Sequence, residues 1–166
     1  GGAAVVDDVD GAAAEPPVPA RRTVEALWQS TNPRERAVAV WALDALLTEQ
    51  DLPALRSALA DPDPQVRITA ALPLARLAGP HTTASEEGIR QALAALGEAL
   101  ADEVPQVRSA LLNALADTHR EAAVPYLARH STEDPDKIVR HKAGQALRRL
   151  RARPGPAVPG HRVTEA

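Results

Sequence analysis

One arginine returns four times along this chain, as Arg36, Arg67, Arg108 and Arg140, and each return brings the same apolar pattern with it. The segments are NPRERAVAVWALDAL (32–46), DPQVRITAALPLARL (63–77), VPQVRSALLNALADT (104–118) and DKIVRHKAGQALRRL (136–150). Three residues after the arginine stand Ala39, Ala70, Leu111 and Ala143; seven after it, Leu43, Leu74, Leu115 and Leu147; ten after it, Leu46, Leu77, Thr118 and Leu150. Offsets of three, seven and ten share one face of a helix with about 3.6 residues per turn. The arginines are 31, 41 and 32 residues apart, and the long interval is accounted for by the polar insertion GPHTTASEEG (79–88). A period of this size marks a stack of helical repeats, in which each unit buries its apolar face only against its neighbours.

Start signals support the reading. Pro33, Pro64 and Pro105 sit at first helical positions, where the missing N–H costs nothing. Asn32, Asp63 and Asp136 are N-cap candidates. A second, shorter helix precedes each arginine helix, in 23–30, 52–60, 87–101 and 121–131. Asp51 with Pro53 marks one start, and Thr83 with Glu86 is read as a capping box for another. Pro125 implies a late start or a kink, and Pro73 implies a bend within 64–77. The expected architecture is all-α, an α-solenoid of four antiparallel helix pairs with repeats at about 23–47, 51–78, 85–118 and 121–151. Residues 1–20 carry Asp7, Asp8, Asp10 and Glu15 without a cation and end Pro-rich, so they read as a flexible acidic tail. Residues 153–166, broken by Pro and Gly, read as a second tail flanking a folded unit of about 21–152.

Composition agrees. The chain is 45% hydrophobic but only 2% aromatic, so Ala, Leu and Val must fill the core, which suits closely approaching helices. With no Cys there is no thiolate metal site or cysteine nucleophile. A net charge of −3 gives no global case for nucleic acid. No apolar run approaches the ~20 residues needed to span a membrane, and no secretory signal is visible. The chain opens on Gly1-Gly2, which reads as a trimmed start, and the expected compartment is the cytoplasm.

The phrases ALADPDPQVRITAALPLARL, ALADEVPQVRSALLNAL and EAAVPYLARHSTEDPDKIVRHKAGQALRRL resemble HEAT repeats, in particular the bacterial HEAT-like type first associated with phycobilin lyases. The shared pattern is an Asp-containing turn, a Pro, Val-Arg, then Ala and Leu at helical spacing. Repeat one departs from it, with Ser30-Thr31-Asn32 where the others keep an Asp. Such repeats serve many unrelated roles, so the resemblance fixes fold more than function.

The arginines read in two ways: a ladder of cations for phosphates or acidic peptides, or structural partners of the turn acids Asp61, Asp102 and Asp134. His81, His119, His130, His141 and His161 include no HExxH and no His-Glu pair such as the metal-binding HEAT-repeat hydroxylases would require, so no metal site or cofactor is expected. No nucleophile elbow, P-loop or dinucleotide motif occurs, and the chain is not expected to be an enzyme. Lys137, Arg140, Lys142, Arg148, Arg149, Arg151 and Arg153 form a cluster without an acid, read either as a polar cap on the last repeat or as a patch for nucleic acid or an acidic partner. The resemblance implies that the second helix of each pair lines a concave face. Offsets one, five and eight from the arginine are expected to point away from the core onto that face, giving Trp41, Ile68, Leu72, Asn113, His141, Gln145 and Arg148 as expected partner-binding residues. Trp41 has a second reading, as core against Trp28. The expected function is a non-enzymatic scaffold binding a protein or peptide; the alternatives are an accessory subunit of a lyase or tailoring enzyme, and a nucleic-acid binder with a basic concave face.

Overall fold

The computed structural model describes residues 18–152, and within them the chain forms eight α-helices and no strand. They are α1 (Val18–Trp28), α2 (Pro33–Leu43), α3 (Leu52–Leu59), α4 (Pro64–Leu77), α5 (Glu86–Glu98), α6 (Pro105–Asp117), α7 (Val124–Glu133) and α8 (Lys137–Arg151). Short 3₁₀ turns extend α2 and α5 and lead into α3 and α7. Successive helices pair as α1/α2, α3/α4, α5/α6 and α7/α8. The second helices α2, α4, α6 and α8 pack on one another in series, more closely than the first helices do. This unequal spacing makes the second helices the inner, concave layer of an α-solenoid.

The repeated offsets build the core. Ala39, Ala70, Leu111 and Ala143 are all fully buried, and Leu43, Leu74 and Leu115 nearly or wholly so. Leu147 and Leu150, the last members of their columns, are only partly buried, because no described helix covers the far side of α8. Thr118 replaces a leucine without leaving a polar orphan: its hydroxyl donates to the Leu115 carbonyl at 2.7 Å in a fully buried position.

Caps follow the sequence with some corrections. Asn32, Asp63 and Asp136 accept from the N–H groups of Arg34, Gln65 and Ile138. The box expected from Thr83 and Glu86 does not form; Ser85 caps α5 by accepting from Gly88 N–H at 3.1 Å. Asp51 does not cap α3. It closes a capping box with Thr48 on the preceding 3₁₀ turn and pairs with Arg21 at 2.9 Å. Pro125 is the second residue of α7, so that helix starts late, and α4 runs through buried Pro73 as one helix. α1 begins at Val18, five residues before the expected start and inside the segment read as tail. The tail readings for residues 1–17 and 153–166 lie outside the described residues.

Candidate interaction surface

The turn acids sit six residues before the arginines, and that spacing is the key to the ladder. Asp61, Asp102 and Asp134 each accept from the backbone N–H two residues on, at 2.9 Å, which folds the turn. The arginine of the same repeat then donates Nη1 to the turn carbonyl: Arg36 to Ser30 at 3.0 Å, Arg67 to Asp61 at 2.8 Å, Arg108 to Asp102 at 2.9 Å and Arg140 to Asp134 at 2.6 Å. That bond turns the Nε–Nη2 edge of the guanidinium toward the next repeat. There Arg36 meets Asp61 at 2.8 and 2.9 Å, Arg67 meets Asp102 at 2.6 and 3.1 Å, and Arg108 meets Asp134 at 2.9 Å through both nitrogens. All three are bidentate forks. The ladder starts at repeat one, because Ser30 occupies the acid's place. The Ser30 hydroxyl keeps the turn by accepting from Asn32 N–H at 3.1 Å but offers no carboxylate to a preceding arginine. At the other end Arg140 meets no carboxylate among the described residues.

The rungs differ in burial. Asp134 is 3% exposed and Arg108 6%. Burial alone would raise the Asp134 carboxyl, but hydrogen bonds from Arg108, from His130 Nδ1 at 2.9 Å and from the Asp136 N–H outweigh it and hold the group down at about 2. Asp61 is likewise held below the ordinary carboxylate range, by the Arg36 fork first.

The expected partner-binding residues fall into three places. Offset five is exposed in every repeat: Trp41 (70%), Leu72 (47%), Asn113 and Gln145 stand in register on the inner faces of α2, α4, α6 and α8. Trp41 is therefore not core; Trp28 is the tryptophan that packs against it. Ile68, at offset one, is half-buried against the core, and its register mate Ser109 is buried. Offset eight is buried at Ala75 and Ala116. Offsets one and eight thus point at the next repeat, not into the groove. His141 and Arg148 carry those offsets on α8, where no described repeat follows, and so lie exposed on the end of the stack. Val38, 51% exposed at offset two, joins the inner face and was missed; offset two lies on the same side as offset five, which was the available signal. The inner face runs from Val38, Trp41 and Leu72 to polar Asn113 and Gln145, edged by the pairs Asp44–Arg76 and Asp117–Arg149 at 3.0 Å.

Among the described residues no group of three or more His, Asp or Glu is placed to hold a metal ion. No described helix is long and apolar enough to cross a membrane.

The model of the family described as HEAT repeats matches residues 20–86 and 84–148, which is most of the chain. The chain is a HEAT-repeat protein. None of the curated proteins matches it. Among solved structures this HEAT stack is similar to human deoxyhypusine hydroxylase in complex with glycerol, with 28% identity and a TM-score of 0.62. The match covers 80% of this chain and 43% of the hydroxylase, so the HEAT protein described here spans less than half of that enzyme's length.

Proposed function

We propose that this HEAT-repeat protein is a non-enzymatic scaffold that binds a protein or peptide on its concave face. The observation that carries the reading is the row of Val38, Trp41 and Leu72. These large apolar side chains are 51, 70 and 47% exposed on adjacent inner helices, whereas every other leucine and valine of residues 21–152 is at least partly buried. Exposed apolar groups gathered on one face, a tryptophan above all, are what anchors an interface. The polar groups at Asn113 and Gln145 favour a ligand that is apolar at one end and hydrogen-bonding at the other.

The basic-groove alternative is weakened by the ladder. Three of the four repeated arginines are held by turn aspartates and point between repeats, not into the groove. The accessory-subunit alternative has in its favour the phycobilin-lyase resemblance and the likeness to a hydroxylase, both at the level of fold.

A peptide-display selection on wild-type protein, counter-selected on a Trp41→Ala/Leu72→Ala double variant, tests the proposal. Peptides retained by wild type and weakened at least about tenfold in the double variant support it, tenfold being the loss of ~1.4 kcal/mol of binding. Peptides that bind both proteins equally refute the concave-face assignment.

A further inference from the structure

Among the described residues the last arginine of the ladder, Arg140, has no aspartate of the kind that the other rungs define. Arg140 holds its own turn as every ladder arginine does, through Nη1 to the Asp134 carbonyl at 2.6 Å and the Pro135 carbonyl at 3.2 Å. Its plane is thereby set before any partner arrives. The Nε–Nη2 edge, which in Arg36, Arg67 and Arg108 meets both oxygens of an aspartate, has no carboxylate in Arg140 among the described residues. Beside it lies a cleft of about 350 Å³ lined by Ser131, Arg140, His141, Gly144, Leu147, Arg148 and Arg151.

The cleft sits where the preceding repeats receive their neighbour. At offset four from the arginine, Val40, Ala71 and Leu112 are buried under the following pair; α8 has Gly144 there. At offset eight, where Ala75 and Ala116 are buried, α8 has exposed Arg148. At offsets four and eight, the positions that carry Ala71, Leu112, Ala75 and Ala116 between the middle repeats, α8 has a glycine and a cation. Arg148 and Arg151 are exposed and, among the described residues, unpaired.

We infer that this end of the stack is a docking site for an acidic turn of another protein, whose Asp or Glu carboxylate enters the Arg140 fork while flanking acids meet Arg148 and Arg151. A carboxylate is specified because three identical forks in the same fold each take one in bidentate geometry, and a guanidinium edge fixed in advance loses little freedom on binding. The charge of the cleft asks for more than one acid. A second copy of this chain stacked in register is a poor occupant, since it would bring Ser30, not an acid, to the fork. The site is separate from the concave face and stands or falls without it.

The test is an NMR titration of the full chain, following the Arg140 Nε–Hε and Gly144 amide signals. The probe is the nonapeptide ALADPDPQV, which copies the acceptor turn of residues 58–66, against the same peptide with its first Asp as Asn. Saturable shifts at both signals with the Asp peptide, at least about tenfold weaker with the Asn peptide, are expected; in Arg140→Lys, followed by the Gly144 amide alone, binding should weaken by a similar factor, because Lys keeps the charge but loses the fork. Arg148→Ala/Arg151→Ala, on exposed side chains outside the fold's hydrogen bonds, is expected to weaken binding about threefold to tenfold. Trp41→Ala is expected to leave it unchanged, which separates this site from the groove. Equal response to both peptides, or the same shifts from inorganic phosphate at equal concentration, overturns the carboxylate assignment. An Arg140 signal that responds to peptide only after residues 1–17 or 153–166 are removed overturns the external partner in favour of the chain's own segment.

Discussion

Arg108 and Arg140 occupy the same position in successive repeats and hold their own turns by the same bond, at 2.9 and 2.6 Å. Beyond that they diverge. Arg108 is 6% exposed and forks onto a buried aspartate, whereas Arg140 is half-buried and meets no described carboxylate. The comparison separates two jobs that sequence lumps together. The bond to the turn carbonyl shapes a repeat internally; the fork ties that repeat to the next. Only the second job places a charge pair in a dry environment, and only there does loss of one partner strand the other.

The largest effect expected is therefore at the interior rung. Arg108→Ala leaves the Asp134 carboxylate buried with only His130 and a backbone N–H, and should lower unfolding free energy by about 3–5 kcal/mol in urea titrations. Arg140→Ala should cost less than about 1 kcal/mol, as expected for a partly exposed group without a carboxylate partner. Similar losses at the two sites would mean that the carbonyl bond, not the fork, is what matters.

Packing gives the next effect. Leu112, fully buried at offset four, fills the space between α6 and the last pair. Leu112→Ala should cost about 2–5 kcal/mol by the same measurement, since a close-packed stack of small residues collapses poorly around a void. A loss below 1 kcal/mol would show that the α6–α8 contact is loosely packed.

The buried rung also sets an acid limit. Asp134 has a folded value of about 2, below its ordinary 3.8, so its stabilising effect is full above the unfolded value. As pH falls from about 4 to 2 the unfolded state takes up a proton that the folded state refuses, and about 2 kcal/mol of stability is lost. Unfolding free energy measured from pH 6 to 2 should show this decline, and it should be shallower in Arg108→Ala, where the main partner holding the carboxyl down is gone. An unchanged slope in that variant would place the acid sensitivity elsewhere.

How much of this was legible before the structure depends on which side of each helix is asked about. The core columns and the pairing of arginines with turn acids share one period, so Ala70, Leu74, Arg67 and Asp102 could be placed from spacing alone. A solenoid helix, though, has further sides, one toward the next repeat and one toward the groove. Periodicity along a single helix does not tell them apart. Hence spacing alone groups Ile68, His141 and Arg148 with Trp41 and Leu72 although they lie toward the next repeat, and it leaves out Val38. The start of α1 was hidden because Pro16, Pro17 and Pro19 resemble a tail, yet Pro is tolerated in a first helical turn. The cap of α5 was chosen by a residue far away in sequence: Glu49 accepts from both the N–H and the hydroxyl of Ser85, at 2.7 and 2.9 Å. The polar run Thr82-Thr83-Ala84-Ser85 offers several caps, and tertiary contact selects among them.

The smallest effect has the opposite sign and sharpens the contrast at offset four. Gly144 lies inside α8, where glycine costs the helix about 0.5–1 kcal/mol relative to alanine. A Cβ added there would lie 3.5 Å from Arg148 Nη1 and 3.9 Å from Ser131 Cβ, ordinary contacts that displace nothing. Gly144→Ala should therefore raise stability by about 0.5–1 kcal/mol, read as a higher urea midpoint with an unchanged slope. The same methyl narrows the cleft beside Arg140, so a variant that is more stable yet binds the acidic turn peptide less well would show that this glycine is kept for access. A variant that loses stability would mean that the middle of α8 packs more tightly against α7 than these distances indicate.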